Sequence, residues 1–297
     1  IASMTKPITA TGLMMLVDEG KVSLDDPVSK YVPQFAKIKL TSGETPRPVT
    51  VFDVITHTSG LHGEQKVEGS LAEHMDVLVE RGLAFEPGTK WQYSPGLNVC
   101  GRIIEVVSGK PYHVFLQERI FDPLGMTETT FFPTKEQQAR LAVLYQPGEK
   151  EGTLAVGESW LTDFSKDRVA NPSGGLISTA ENMGRFYQMI LAGGVWNGER
   201  LVSEESVKQM TTLQTGDLVT GFTPGNSWGL GWCVVREPQG VTESLHAGTY
   251  GHGGAFGTQG WVDPVTKTIY VLMIQRTKFG NSDGAELRKR FHDVVAE

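Results

Sequence analysis

The residues of this chain that most clearly carry chemistry are Ser3 and Lys6, three positions apart at the start of an apolar stretch. If the stretch is helical, side chains at positions i and i+3 lie on one face, so the lysine amine reaches the serine hydroxyl. A neutral lysine can then take the hydroxyl proton, provided that the site lowers the lysine pKa by desolvation or nearby positive charge. The same pair also occurs as a helix cap beside a solvated lysine, so the spacing alone leaves both interpretations open.

Two other serines compete for the role of nucleophile, because Ser227 and Ser282 each stand in a GxSxG pattern typical of α/β-hydrolases. Ser227 precedes a predicted strand, whereas a nucleophile elbow leads into a helix. Ser282 lies between a predicted strand and a predicted helix, but too little chain follows it for an acid and a histidine in the required order. We therefore expect both serines to be structural.

The elements that must position these residues follow from hydrophobic periodicity and from glycine and proline positions. The predicted helices cover residues 4–19, 51–57, 98–108, 112–119, 180–192 and 284–296. The predicted strands cover residues 228–235, 254–262 and 268–275, and they form an antiparallel meander whose last turn is 263–267. Helices in the middle of the chain and strands at its end indicate a mostly helical lobe beside an α/β lobe, with the active site between them.

Composition excludes several classes of function. The 297 residues are 39% hydrophobic and 21% charged, which is ordinary for a globular domain. A formal net charge of -7 without a dense basic stripe argues against a nucleic-acid partner. No apolar run reaches the ~20 residues that a membrane-spanning helix needs. Cys100 and Cys233 each stand in an apolar stretch, and we expect buried thiols rather than a disulfide.

Metal sites are not indicated by the histidine spacing. His57 and His62 are five positions apart, and His246 and His252 are six apart. No Cys/His spacing in the chain matches a known metal site. We expect neither a metal nor another cofactor.

Further motifs follow in order along the chain. Besides Ser3 and Lys6 they are Tyr93-Ser94 and the runs 20–28, 55–61, 101–105, 174–180 and 252–255. Together they resemble the serine β-lactamase and penicillin-binding-protein-like family, specifically its branch of class C β-lactamases, DD-peptidases and family VIII esterases. The resemblance implies an α+β, β-lactamase/DD-peptidase-like fold, with an antiparallel sheet flanked by helices plus a mostly helical lobe.

The resemblance also implies one serine-hydrolase catalytic domain over residues 1–297. Its mostly helical lobe is expected at about residues 20–200, and its α/β lobe at about 1–19 and 201–297. Family members carry an additional N-terminal stretch with a helix and strands of the sheet. We expect those strands to be absent here, which leaves one edge of the sheet unpaired.

Tyr93 stands where the family has a Tyr-x-Asn motif ahead of a helix. In the family this tyrosine contacts the nucleophile, works with the lysine as general base and returns a proton to the leaving group. Pro95 replaces the family asparagine and offers no side-chain hydrogen bond, although Asn98 stands close enough to reach the same space. We expect His57, in its HTSGL run, to hold a loop rather than to react.

The run His252-Gly253-Gly254 stands where β-lactamases carry Lys-Thr-Gly on a strand that lines the site. Glycines let a substrate backbone approach such a strand. By the same resemblance, the backbone N–H groups of Ser3 and Ala255 form the oxyanion hole. The imidazole of His252 replaces a fixed positive charge, so we expect weaker recognition of a substrate carboxylate.

The replacement of the family asparagine by Pro95 and of the family lysine by His252 favours a carboxylesterase-like serine hydrolase. It forms an acyl-enzyme on Ser3 and acts on a small ester, amide or lactam. A β-lactamase or a D-amino-acid-specific DD-peptidase is the second hypothesis, and a non-catalytic binding module with the same fold is the third. A periplasmic or secreted bacterial location follows from the resemblance alone. The oligomeric state stays open.

Overall fold

The computed structural model describes residues 1–63, 67, 69–164, 168–221, 223–278 and 284–296. Its centre is helix α1 (Thr5–Asp18), in which every residue from Thr5 to Leu16 is buried. A helix that is apolar on every side packs inside a protein, and the polar groups of α1 are satisfied locally. The Thr11 hydroxyl, for example, donates to the Pro7 carbonyl at 2.9 Å. The predicted helix at 4–19 is confirmed.

The other helices pack around α1 or cover the sheet. In chain order they are α2 (Val51–Ile55), α3 (Leu71–Arg81), α4 (Gly96–Ser108), α5 (Tyr112–Leu116), α6 (Asp122–Leu124), α7 (Lys135–Gln138), α8 (Ala180–Leu191), α9 (Glu204–Thr211) and α10 (Glu286–Ala296). A π-helical turn (Gln117–Phe121) joins α5 to α6. Helices α2, α4, α5, α8 and α10 confirm predicted helices with small shifts at their ends, whereas α3, α6, α7 and α9 have no predicted counterpart.

Two short hairpins precede the main sheet. They are β1 (Tyr145–Pro147) with β2 (Leu154–Val156), and β3 (Val195–Trp196) with β4 (Glu199–Arg200). The main sheet contains β5 (Asn226–Trp228), β6 (Cys233–Val235), β7 (Tyr250–Gly253), β8 (Gln259–Asp263) and β9 (Thr268–Leu272). Its strands are antiparallel and neighbours in the sheet are neighbours in the chain.

The bounds of two predicted strands are wrong. Residues 228–235 form a hairpin rather than one strand, because the chain turns back after Trp228 and pairs Trp228 with Cys233. The strand expected at 254–262 begins only at Gln259, since residues 255–257 form a turn and His252 and Gly253 belong to the preceding strand, β7. The strand predicted at 268–275 is found as β9 but ends at Leu272, and the turn at its start is confirmed.

Helices cover both faces of this sheet. Consecutive side chains of a strand point to opposite faces, so Val262 of β8 joins the core under α8 while Trp261 packs towards Phe291 of α10. Helix α1 lies against β7. The start of α1 and the end of β7 are thereby brought together, which places the expected nucleophile beside the strand that carries His252. The two cysteines are buried thiols, as predicted.

Candidate active site

Ser3 and Lys6 lie together at the start of α1, as their spacing predicts. Ser3 belongs to a 3-10 turn (Ala2–Met4) that runs directly into the helix, and it is partly exposed. Lys6 is completely buried. Its Nζ donates to Ser3 Oγ at 3.2 Å and to the backbone carbonyl of Ser173 at 2.7 Å. The carbonyl holds the amine beside the hydroxyl, within reach for proton transfer.

The turn that carries Ser3 is strained at Ala2. Ala2 has a φ of 45°, a left-handed conformation that costs a residue with a side chain about 1–2 kcal/mol. The turn is held by Thr5, whose hydroxyl donates to the Ala2 carbonyl at 2.8 Å and accepts from the Leu176 N–H at 3.2 Å. Strained residues of this kind cluster at functional sites, and here the strain immediately precedes the candidate nucleophile.

The side chain of Tyr93 extends from the loop before α4 to the Lys6 amine. Lys6 Nζ lies 4.5 Å from the centroid of the Tyr93 ring, a distance at which a cation is attracted to an aromatic face. His57 holds the loop from beneath. Its carbonyl accepts from the Gln92 N–H at 2.9 Å, and its Nδ1 accepts from the Ser94 N–H at 3.2 Å. The expectation that His57 holds a loop is confirmed.

The imidazole of His57 is neutral. Burial lowers its pKa well below the ordinary value, and the nearby Lys6 and His252 act in the same direction. Because Nδ1 accepts from a backbone N–H, the single ring proton resides on Nε2. His57 also has a φ of 64°, so a second strained residue lies under the site.

Aromatic rings form the wall behind Tyr93. Ring centroids lie 4.7 Å apart for His57 and Tyr93, 5.2 Å apart for Trp91 and Trp228, and 5.3 Å apart for Trp228 and His252. Pairs of this kind add about 0.5–1.5 kcal/mol beyond their buried area. The sequence analysis missed the part played by Trp228, whose GNSWG run drew attention only for its serine. The sequence feature that could have indicated this role is the position of Trp228, an aromatic residue directly before a glycine at the end of a strand.

His252 lies on β7 and is buried. Its Nδ1 is 2.6 Å from the Gly253 carbonyl, which can only accept, so Nδ1 carries the proton. Its Nε2 is 3.3 Å from the Tyr93 hydroxyl. Burial lowers the pKa of His252 to about 3, and the charges of Lys6 and Arg288 add to the effect. The side chain is therefore uncharged at neutral pH, with a lone pair directed at the tyrosine hydroxyl.

The turn after β7 places Ala255 near the start of α1. The Gly254 N–H donates to the Thr258 carbonyl at 2.7 Å. A Cβ at Gly254 would lie 2.1 Å from Thr258 Oγ1 and 2.6 Å from the Ile1 carbonyl oxygen. Only glycine permits this approach. Ala255 itself is exposed, and the oxyanion role of its N–H and of the Ser3 N–H stays a prediction.

Asn98 has a different position from the one expected. Its Oδ1 accepts from the Ser173 N–H at 3.0 Å, and its amide group donates to His74 Nε2 at 3.3 Å. Asn98 is completely buried and supports the residue whose carbonyl holds Lys6. It is a positioning residue rather than a substitute for the family asparagine at Pro95. Sequence analysis missed Ser173 because a backbone carbonyl leaves no side-chain signal.

The rival serine Ser227 is structural. It is buried on β5, and its hydroxyl lies 3.0 Å from that of Thr215. The second GxSxG run, at 280–284, falls largely outside the described residues. Over the described ranges, no group of three His, Cys, Asp or Glu side chains is arranged to hold a metal ion, and no helix is long and apolar enough to cross a membrane.

The fold, and the serine and lysine at the start of a buried helix beside an antiparallel sheet, define the class of serine β-lactamases and penicillin-binding proteins. The chain belongs to the Beta-lactamase family, whose sequence profile matches residues 1–293. Esterase EstB of Burkholderia gladioli is 30% identical to it, over 96% of this chain and 78% of that protein. The D-alanyl-D-alanine-carboxypeptidase/endopeptidase AmpH of Escherichia coli strain K12 is 29% identical, over 100% of this chain and 75% of that protein.

A solved structure shows the same fold. EstCE1, a hydrolase with promiscuous acyltransferase activity, superposes with a TM-score of 0.80 at 21% identity, covering 100% of this chain and 83% of that chain. Members of the family are thus serine hydrolases that include esterases and DD-peptidases. The expected α+β, β-lactamase-like fold is confirmed.

Proposed function

We propose that this protein is a carboxylesterase-like hydrolase that forms an acyl-enzyme on Ser3. The observation that carries the proposal is the uncharged His252, hydrogen-bonded to Tyr93, at the position where the resemblance places a lysine in β-lactamases. A neutral imidazole attracts a carboxylate weakly, whereas a simple ester has no carboxylate to bind. Pro95 points the same way, because it removes the amide that the family carries beside its tyrosine.

Acylation starts at the hydroxyl of Ser3. With Lys6 neutral, Nζ accepts the hydroxyl proton across the 3.2 Å contact while Oγ attacks the ester carbonyl. The carbonyl oxygen takes up negative charge, and the N–H groups of Ser3 and Ala255 are the proposed donors to it. The bond to the alcohol then breaks. The alcohol oxygen takes a proton from the Lys6 and Tyr93 pair, which regains its starting charge.

Deacylation repeats these steps with water in place of Ser3. Water gives a proton to the same pair, attacks the acyl carbonyl and releases the carboxylic acid, and the proton returns to Ser3 Oγ. In both steps Lys6 carries the transferred proton, and Tyr93, whose hydroxyl donates to His252 Nε2, is held beside it.

A DD-peptidase or β-lactamase activity is the second candidate function. It is favoured by the similarity to AmpH, at nearly the same identity as EstB. The two candidate functions differ in whether the substrate carries a carboxylate. They are therefore separated by comparing turnover of a neutral ester with turnover of a cephalosporin and of a D-Ala-D-Ala peptide.

The test is hydrolysis of p-nitrophenyl acetate by the parent protein, by Ser3→Ala and by Ser227→Ala. All three proteins are first shown to be folded by circular dichroism. We expect Ser3→Ala to lose more than about a thousandfold in kcat/KM, as removal of a nucleophile does in other serine hydrolases. Ser227→Ala is the matched control, since Ser227 lies in a GxSxG run but is buried and structural, and it should keep the parent rate.

Three outcomes would contradict the proposal in different ways. Equal rates in the parent and Ser3→Ala would remove Ser3 as the nucleophile. A folded parent that ignores neutral esters but cleaves a cephalosporin or a D-Ala-D-Ala peptide would favour the second candidate. A folded parent that a fluorophosphonate does not label would favour a non-catalytic binding module.

A further inference from the structure

The guanidinium group of Arg168 joins three segments that lie apart in the chain. It donates four hydrogen bonds of 2.6–3.0 Å, all to backbone carbonyls. These carbonyls belong to Phe131, Leu161, Asp163 and Gly175. A guanidinium is planar and presents its N–H groups in fixed directions, so a single side chain holds the carbonyls in one relative arrangement.

One of the four carbonyls belongs to the turn that holds Lys6. The N–H groups of Gly174 and Gly175 both donate to the Asn171 carbonyl, at 3.2 and 2.8 Å. The Ser173 carbonyl, which accepts from Lys6 Nζ at 2.7 Å, lies within this turn. A Cβ at Gly175 would lie 2.9 Å from the Asn171 nitrogen. The turn is therefore tightly packed, and a shift of the Gly175 carbonyl moves the neighbouring Ser173 carbonyl as well.

The turn is also anchored on α1. The hydroxyl of Thr9 donates to the Pro172 carbonyl at 2.7 Å, next to the carbonyl that Lys6 contacts. Arg168 lies outside this helix and holds the far end of the turn at 2.8 Å. Without the guanidinium, the end of the turn can shift relative to α1, and with it the acceptor for Lys6.

The charge and the shape of Arg168 both matter for this contact. The side chain is partly buried, and burial lowers its pKa, but a guanidinium stays charged at neutral pH. Hydrogen bonds from a charged donor are stronger than those between neutral groups. The guanidinium carbon also lies 4.8 Å from the centroid of the Phe164 ring, a cation–π contact that adds to its hold.

We propose that Arg168 is a positioning residue for Lys6, because it fixes the turn whose Ser173 carbonyl holds the Lys6 amine beside Ser3 Oγ. The inference rests on the proposed role of Lys6 as the base for Ser3 and adds a residue on which that role depends. When the carbonyl shifts, the amine loses the contact that keeps it in place, and proton transfer from Ser3 becomes slower.

The test is the rate at which a fluorophosphonate labels Ser3, since this reaction requires the same base but no particular ester. Arg168→Lys keeps the positive charge and loses the planar fork. We expect labelling to slow by about tenfold or more, as expected when a hydrogen bond from a charged group is lost. The same rate in Arg168→Lys and in the parent would overturn the proposal.

Arg185→Lys is the matched control. Arg185 lies on α8 and likewise donates to a backbone carbonyl, that of Gly125 at 2.6 Å. It makes no contact with the turn that holds Lys6, so labelling should stay within about twofold of the parent. An equal slowing in both variants would mean that any lost arginine contact has this effect, which would overturn the specific role of Arg168.

A double substitution tests whether Arg168 acts through Lys6. Residues that act as a unit are not additive. Adding Arg168→Lys to Lys6→Met should therefore leave the residual labelling rate of Lys6→Met unchanged within about twofold. A further slowing of about tenfold would assign Arg168 a general structural role and overturn the proposal.

Hydrogen exchange separates this proposal from the proposed function. The amides of residues 173–176 are all hydrogen-bonded in the parent. They should exchange about tenfold faster in Arg168→Lys and at the parent rate in Arg185→Lys. Unchanged exchange in Arg168→Lys would overturn the proposal even if Ser3 is labelled. Faster exchange in a protein whose parent is not labelled would support the positioning of the turn while the proposed function fails.

Circular dichroism first establishes that each variant is folded. If Arg168→Lys does not fold, Arg168→Gln takes its place in all three measurements. Its neutral amide group still donates to a carbonyl but cannot hold four of them, so the same results are expected of it.

Discussion

The hydroxyl of Tyr93 and Nε2 of His252 lie 3.3 Å apart, and His252 Nδ1 donates to the Gly253 carbonyl at 2.6 Å. The second contact fixes the tautomer, since a carbonyl cannot donate. It therefore also fixes the direction of the first, in which the tyrosine donates and the imidazole accepts. A histidine with a fixed tautomer thus orients the hydroxyl of the residue proposed to move protons.

Removing this contact should affect turnover more than binding. His252→Ala is expected to lower kcat about tenfold with little change in KM, because one hydrogen bond of about 1–1.5 kcal/mol is lost. His252→Gln keeps an acceptor oxygen near the position of Nε2 and should recover part of the loss. Burial holds the pKa of His252 at about 3, so the kcat/KM profile of His252→Gln should keep the parent shape between pH 5 and 8.

The control is His246→Ala, in the loop before β7, where half of the side chain is exposed and the ring is paired with Asp263. It should leave kcat unchanged. If His252→Ala raised KM and left kcat at the parent value, His252 would be a substrate contact rather than a positioning residue for Tyr93.

Lys6 is expected to be indispensable for turnover and dispensable for folding. Lys6→Met should lower kcat by about a thousandfold or more, because the proton acceptor for Ser3 is removed. The fold should survive, since methionine is unbranched, fills a similar volume and adapts to irregular space in a core. Lys21→Met, on an exposed lysine paired with Glu19, should match the parent in the same ester assay. Parent activity in Lys6→Met would exclude Lys6 as the base.

Stability should fall as the pH falls below the ordinary histidine pKa. Burial lowers the pKa of His74 and of His292 to about 4, against 6.5 for an exposed histidine. Between these values the unfolded chain binds more protons than the folded protein. The free energy of unfolding therefore decreases with falling pH, by up to about 1.4 kcal/mol per pH unit for each such group.

His74→Gln tests this dependence, because its amide oxygen can replace Nε2 as the acceptor from Asn98. Urea denaturation at pH 7 and pH 5 should show a smaller difference in His74→Gln than in the parent. His62→Gln, at a partly exposed histidine, should keep the parent difference. An unchanged pH dependence in His74→Gln would mean that His74 is not titrated by unfolding.

Gly254 should be sensitive to the addition of a single methyl group. Gly254→Ala places a Cβ 2.6 Å from the Ile1 carbonyl oxygen, so the turn that carries Ala255 must move away from the start of α1. We expect kcat to fall about tenfold to a hundredfold through a misplaced oxyanion donor. Gly184→Ala is the matched control, since Gly184 lies in α8 with open space around its Cβ position and alanine favours a helix. Equal activity of the two variants would argue against an oxyanion role for this turn.

The sequence was sufficient for the parts of the site that depend on local geometry. Ser3 and Lys6 lie one helical turn apart, so a helical stretch brings their side chains together, and the contact between them is 3.2 Å. Tyr93 and His252 required the family resemblance, because nothing near either residue encodes their pairing across the fold. The Ser173 carbonyl that holds Lys6 was beyond prediction, since every residue has a carbonyl and only tertiary structure selects one.

The sheet shows a similar limit. Residues 228–235 are apolar at nearly every position, so their periodicity does not distinguish one buried strand from a hairpin. Packing and backbone conformation at the two glycines determine that the segment is a hairpin. A Cβ at Gly229 would lie 2.0 Å from the Met210 carbonyl oxygen, and Gly231 has a φ of 75°. Helix α3 was predictable, because Ser70 and Glu73 form a capping box at its start. Its short apolar stripe lies between polar residues and was not recognised.

The contacts of the Lys6 amine and of His252 join parts of the chain that are very far apart in sequence. Lys6 and Ser173 are separated by 167 positions, and Tyr93 and His252 by 159. Contacts of such high sequence separation pay the largest loop-closure entropy and belong to slow-forming topologies. During refolding, the recovery of hydrolysis should therefore lag behind the recovery of helical circular dichroism. Ester turnover then serves as a probe of completed tertiary assembly, because in a chain with native helices but unjoined segments Lys6 is solvated and protonated and cannot act as the base.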